Sequence, residues 1–154
     1  MFLIGMLFLC LATSAQGNKV PPFSAMQANG KVFKAQDLPL GKPIIIIYFS
    51  PDCDHCEKLT QDILKNENDL KNASIAMITF LPVQKVANFV NKYSLSKHPN
   101  IYVATEGYSF FLKNYYRITE MPFMALYTKN GDLIKTYTRE IPVKNLIVQL
   151  KKLQ

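Results

Sequence analysis

Ile44-Ile45-Ile46-Ile47-Tyr48-Phe49-Ser50-Pro51-Asp52-Cys53-Asp54-His55-Cys56 is the stretch whose pattern decides the architecture of this chain. Its first six residues are β-branched or aromatic with no polar alternation, the pattern of a central strand covered on both faces. Ser50-Pro51-Asp52 breaks the run. From Cys53 onward, Cys56, Leu59 and Ile63 recur at helical spacing, so the strand gives way to a helix. A Cys-x-x-Cys at a helix start brings both sulfurs within bonding range through the i, i+3 geometry. The first sulfur then lies at the positive helix end, among free backbone N–H groups that favour its thiolate. The second falls on the inward stripe with Leu59 and Ile63 and is shielded. An exposed thiolate that attacks and a shielded thiol that resolves are the minimum apparatus for disulfide exchange.

Working outward, Phe23 to Leu40 carries an Asn29-Gly30 turn between short semi-polar runs, which predicts a small hairpin. Ile75 to Leu81 predicts a second buried strand. Val83, Val86, Ala87 and Val90 mark the inward side of a helix opened by Pro82. Ile101 to Ala104 predicts a short strand, and Gly107 to Tyr116 a helix with Phe111, Leu112 and Tyr115 inward. After Met121-Pro122, Phe123 to Thr128 and Asp132 to Tyr137 predict strands joined by a turn at Asn130-Gly131. Val143, Leu146, Ile147 and Leu150 form the stripe of a closing helix, with Lys144, Gln149 and Lys151 facing water. Strands alternating with helices, then a hairpin and a last helix, imply an α/β fold, a three-layer sandwich around a mixed sheet. The aromatics Tyr48, Phe49, Phe80, Phe110 and Phe111 are expected in the core.

Composition agrees with one ordinary domain. The chain has 154 residues, 49% hydrophobic and 19% charged, which excludes global disorder. Its formal net charge of +7 comes from scattered lysines, and no basic motif or finger accompanies them, so no nucleic-acid partner is expected. Met1 to Ala12 is uninterrupted apolar sequence, too short to span a bilayer, and Thr13-Ser14-Ala15-Gln16-Gly17 is small and polar. Residues 1–17 therefore read as a secretory signal peptide, cleaved after Ala15 or after Gly17, and 18–154 as the mature domain. No Lys or Arg precedes the apolar run. Cys10 follows Leu9 rather than a small residue, unlike a lipobox cysteine. Export leaves Cys53 and Cys56 as a dithiol under oxidising conditions.

These features together resemble the thioredoxin superfamily, and within it the exported TlpA- and ResA-like thiol-disulfide oxidoreductases. The resemblance runs through the 23–40 hairpin, Gly41-Lys42-Pro43, Cys53-Asp54-His55-Cys56, Tyr93-Ser94-Leu95, Tyr116-Arg117-Ile118, Met121-Pro122 and Lys129-Asn130-Gly131-Asp132. It implies a thioredoxin-like three-layer α/β/α sandwich with an N-terminal β-hairpin extension. It also implies a catalytic pair, Cys53 nucleophilic and Cys56 resolving, with no cofactor and no metal. Met121-Pro122 would be a cis peptide beside the dithiol, where the Met121 backbone pairs with an extended substrate segment. Two departures stand out. Asp52 occupies the place of a thioredoxin Trp, and Ile47 the place of a buried acid. Around the pair, a protonated His55 would stabilise the Cys53 thiolate, whereas Asp52 and Asp54 oppose it as like charges.

The implied activity is protein-disulfide oxidoreduction, in the reductive direction, on cysteines of exported, periplasmic clients, with a membrane or soluble thiol as electron donor and membrane association left open. Three other readings compete. A peroxiredoxin would need a Pro-x-x-x-Thr-x-x-Cys setting, and Ser50-Pro51-Asp52-Cys53 does not supply it. A copper protein of the same fold would use both soft thiolates and a distant His, for which only His98 is available. A non-catalytic binding domain would keep the pair permanently oxidised.

Overall fold

The computed structural model describes residues 18–153; the expected leader, residues 1–17, lies outside them. The chain runs β1 (Ser24–Gln27), β2 (Val32–Lys34), β3 (Ile44–Tyr48), α1 (Asp54–Lys65), α2 (Glu67–Leu70), β4 (Ser74–Thr79) and α3 (Val83–Lys92). It continues with β5 (Ile101–Thr105), α4 (Phe111–Tyr115), β6 (Phe123–Tyr127), β7 (Leu133–Thr138) and α5 (Val143–Lys151). All seven strands form one mixed sheet in the order β2-β1-β5-β4-β3-β6-β7.

The apolar run at 44–48 is the centre of that sheet. β3 pairs in parallel with β4 and antiparallel with β6, in register from Ile44 opposite Ser74 and Tyr127 to Tyr48 opposite Ile78 and Phe123. Every residue of β3 is buried. Strand alternation sends Ile45, Ile47 and Phe49 into one core cluster and Ile44, Ile46 and Tyr48 into the other, which is why no polar residue interrupts the run. Right-handed crossovers fix the layers. β3-α1-β4 and β4-α3-β5 step along the sheet in one direction, so α1 and α3 lie on one face. The connection from β5 to β6 returns antiparallel, and α4 covers the opposite face, where Leu112 joins the cluster of Ile44, Ile46 and Tyr48. α5 rejoins the face of α1, with Val143, Leu146, Ile147 and Leu150 all buried there, as the stripe predicts.

The N-terminal hairpin also forms, with Gly30 at φ 79 in its turn, and its strand β1 pairs antiparallel with β5. The hairpin is thus the edge of the main sheet. Four other details differ from the sequence reading. The 107–116 segment is not one helix: a 3-10 turn at Gly107–Ser109 is separated from α4 by Phe110, which is left-handed at φ 46. That break leaves α4 a single inward residue, Leu112, while Phe111 and Tyr115 face solvent. In α3 the inward residues are Val86 and Phe89, with Val90 and Tyr93 packed beside them, and Val83 is exposed. Val83 is the first helical residue and has no preceding turn to pack down upon. Gln149 is half-buried rather than solvated and accepts a hydrogen bond from the Tyr137 hydroxyl at 3.0 Å. Of the five aromatics assigned to the core, Tyr48 and Phe49 are fully buried, whereas Phe80 and Phe110 are half-buried in an aromatic row under Lys113.

Candidate functional site: a dithiol at the tip of α1

Where β3 ends, Ser50-Pro51-Asp52 turns the chain and Cys53 becomes the N-cap of α1 with extended backbone (φ −113°, ψ 119°). Its carbonyl accepts the first helical N–H groups, from Cys56 and Glu57, each at 3.0 Å. The Cys53 side chain is therefore at the helix tip, where the unpaired amides and the macrodipole favour negative charge. Its thiol is partly exposed and donates to the Met121 carbonyl, Sγ to O 3.9 Å. The Met121–Pro122 bond is cis, so the expected juxtaposition of this dipeptide with the dithiol is present.

Cys56 is one turn further on and is 1% exposed, packed in the core with Leu59 and Ile63. Burial, and secondarily the adjacent Cys53 thiol, push its pKa up to about 12. The Cys56 carbonyl is held by the buried Thr60 hydroxyl at 2.9 Å. Both cysteines are free thiols here, one reachable and one shielded. Asp54 and His55, the two residues between them, are exposed on the first turn.

The sequence did not reveal what faces Asp52. Lys85, from α3, places its ammonium 3.0 Å from both carboxylate oxygens of Asp52, immediately before Cys53. The pair neutralises the carboxylate that replaces the aromatic residue expected there. One turn below, Lys92 pairs with Glu57 and lowers the Glu57 pKa. A second feature unread in the sequence lies on the opposite face. Tyr48 donates to Glu106 at 2.7 Å, and the other oxygen of Glu106 accepts the Leu112 N–H at 2.8 Å at the start of α4. Burial and this carboxylate raise the Tyr48 pKa.

His98 does not join the dithiol. It precedes β5, at the opposite end of the sheet, and its Nδ1 is 2.9 Å from Glu67. It lines a cavity of about 280 Å³ with Lys42 and Lys97. The copper reading thus lacks its imidazole. Among the described residues no group of three His, Cys, Asp or Glu side chains is placed to hold a metal. No helix among them is long and apolar enough to cross a membrane. Beside the dithiol, a groove of about 1000 Å³ runs from His55 and Pro122 between α1 and the 139–145 segment.

A candidate thioredoxin from Neisseria meningitidis superposes with a TM-score of 0.72 at 24% identity, covering 89% of this chain and 90% of that one. A secreted Mycobacterium tuberculosis disulfide oxidoreductase, homologous to E. coli DsbE, gives 0.70 at 18% identity over 86% and 96% of the two chains. Copper-bound ScoI of Arabidopsis thaliana gives 0.69 at 20%, over 86% and 95%. At such identities the likeness is one of fold. No sequence among the curated proteins matches. The family model of the thioredoxin-like domain matches residues 31–154, most of the chain and the whole of the sheet beyond the first strand. With a central β3 leading into a Cys53-x-x-Cys56 helix tip opposite a cis Met121–Pro122, the chain belongs to the thioredoxin-like family.

Proposed function

We propose that the chain is an exported protein-disulfide oxidoreductase of the TlpA- and ResA-like branch, working as a reductase of client disulfides. The supporting observation is the inequality of the two thiols: Cys53 is accessible at the helix tip, and Cys56 is buried and held protonated. The Cys53 thiolate attacks one sulfur of a client disulfide, forming a mixed disulfide and releasing a client thiolate. The Cys56 proton passes to that thiolate or to solvent as the attack of Cys56 develops. Cys56 then attacks Cys53 Sγ, closing the Cys53–Cys56 disulfide and releasing the second client sulfur. Two electrons pass from the pair to the client, and a thiol donor, soluble or membrane-bound, restores the dithiol.

Met121 and Pro122 serve as the backbone platform for the extended client segment. Asp54 and His55 border the attacking sulfur and tune it. The test is a trapping experiment with a disulfide-bonded protein such as insulin. Cys53→Ser abolishes turnover, and Cys56→Ser accumulates mixed disulfides on Cys53. Equal trapping by both single variants would contradict these roles.

A further inference from the structure

We propose that the groove beside the dithiol selects client segments carrying acidic side chains, with Arg139 as the residue that sets the preference; this rests on the disulfide-exchange reading above. The groove is continuous with the attack site, since His55 and Pro122 form its near end. Its rim carries four cations, Lys58 and Lys65 from α1 and Arg139 and Lys144 from beyond β7, against two carboxylates, Asp62 and Glu140. Lys58, Lys65 and Lys144 have no ion-pair partner within 4 Å among the described residues. These six lining side chains therefore sum to +2, and the one carboxylate from outside the groove that faces them, Glu120, is 3.8 Å from Arg139. Its floor is apolar, from Leu59 and Val143. An extended acidic segment fits this arrangement: backbone and apolar side chains against the floor, carboxylates at the rim.

Arg139 is singled out by its backbone. It is left-handed at φ 65, a conformation that a side-chain-bearing residue adopts at a cost. Glu140 N–H donates to the Thr138 carbonyl at 2.8 Å across it, closing a tight γ-turn, and Arg139 N–H donates to the Pro122 carbonyl at 2.7 Å. The guanidinium is thus carried by a backbone tied directly to the proline at the attack site. Its protein partner is weak: the Glu120 carboxylate is 3.8 Å away and both groups are more than half exposed. Such a pair contributes little and yields readily to a carboxylate that arrives with apolar contacts of its own.

The experiment compares disulfide-linked peptides identical except for Glu, Ala or Lys at the positions flanking the cysteine. In the wild-type chain, kcat/KM for the Glu peptide should exceed that for the Lys peptide by about tenfold at low salt and approach it at high salt. In Arg139→Glu the ratio should fall to about one or invert, and Lys58→Glu/Lys144→Glu should lower it without touching the γ-turn. A wild-type ratio within twofold, or a ratio unchanged in both variants, overturns the inference. Reduction of hydroxyethyl disulfide by the wild type separates the two readings. If neither this nor any peptide reacts, the exchange reading fails. Amide NMR shifts on adding Cys→Ser versions of the peptides then decide the groove alone. Shifts in the groove from the Glu peptide and none from the Lys peptide support it, and equal or absent shifts refute it.

Discussion

The burial of Cys56 has a consequence that can be measured without any client. A pKa moved from 9.0 to about 12 changes the fraction present as thiolate at pH 8 from about a tenth to about one part in ten thousand, a factor of about a thousand. Alkylation follows the thiolate, so in a Cys53→Ser variant, where Cys56 is alone, iodoacetamide labelling should be at least a hundredfold slower than that of glutathione at pH 8. The lower bound allows for loss of the Cys53 contribution, because burial is the larger cause and remains. The pH profile is the decisive readout, since restricted access slows labelling at every pH but does not move an inflection. Rates followed by mass spectrometry should keep rising beyond pH 10. An inflection below pH 10 would refute the claim that the core holds this thiol neutral. The same shift bears on stability, with a definite sign. A group whose pKa is raised on folding stabilises fully below its unfolded value, so this contribution is complete below about pH 9 and is lost as pH climbs towards about 12. Cys56→Ser should flatten that part of the alkaline unfolding curve.

Further expectations concern the surroundings of the pair. Lys85→Ala leaves Asp52 as an uncompensated carboxylate next to Cys53 and should slow Cys53 alkylation at neutral pH by about two- to threefold, as expected for exposed charges in water. Asp52→Asn in the same chain should restore the rate; an unchanged rate in Lys85→Ala removes the pair from the site. Tyr48→Phe strips Glu106 Oε1 of its short hydrogen bond and leaves it only the Lys113 N–H at 3.5 Å. Urea unfolding should report a loss of about 1.5–3 kcal/mol, and a loss under about 0.5 kcal/mol would mean that water replaces the hydroxyl. Phe49→Ala, where the ring is fully buried and 4.8 Å from that of Phe89, should cost about 3–5 kcal/mol by the same measurement.

The central strand and the dithiol were legible because each is a local signal. A strand buried on both faces must be apolar throughout, and Ile44 to Tyr48 is; a Cys-x-x-Cys on a helix start brings its own geometry. The stripe of α5 was equally plain, since four residues at helical spacing have one way to face a sheet. What the sequence hid is either non-local or conformational. Asp52 and Lys85 are on different elements, and nothing in either neighbourhood pairs them. Glu106 looks like one more surface charge until Tyr48 and the first turn of α4 close around it. Phe110 and Arg139 take left-handed backbones that glycine or asparagine would have advertised, and Phe110 alone turned a continuous helical pattern into two short pieces.

The way the polypeptide enters the sheet governs what can be joined to it. Lys19 bridges to Asp132, and Val20 N–H and Leu133 N–H bond to Gly131 and Asn18 carbonyls, pinning the entry point to the β6–β7 turn. That turn lies beyond Tyr127, level with the start of β3, whereas the sulfurs lie past its end. Five strand residues, about 17 Å at the usual rise, stand between them. An affinity tag, a spacer or a tether fused ahead of Asn18 therefore joins the sheet at the end opposite the sulfurs.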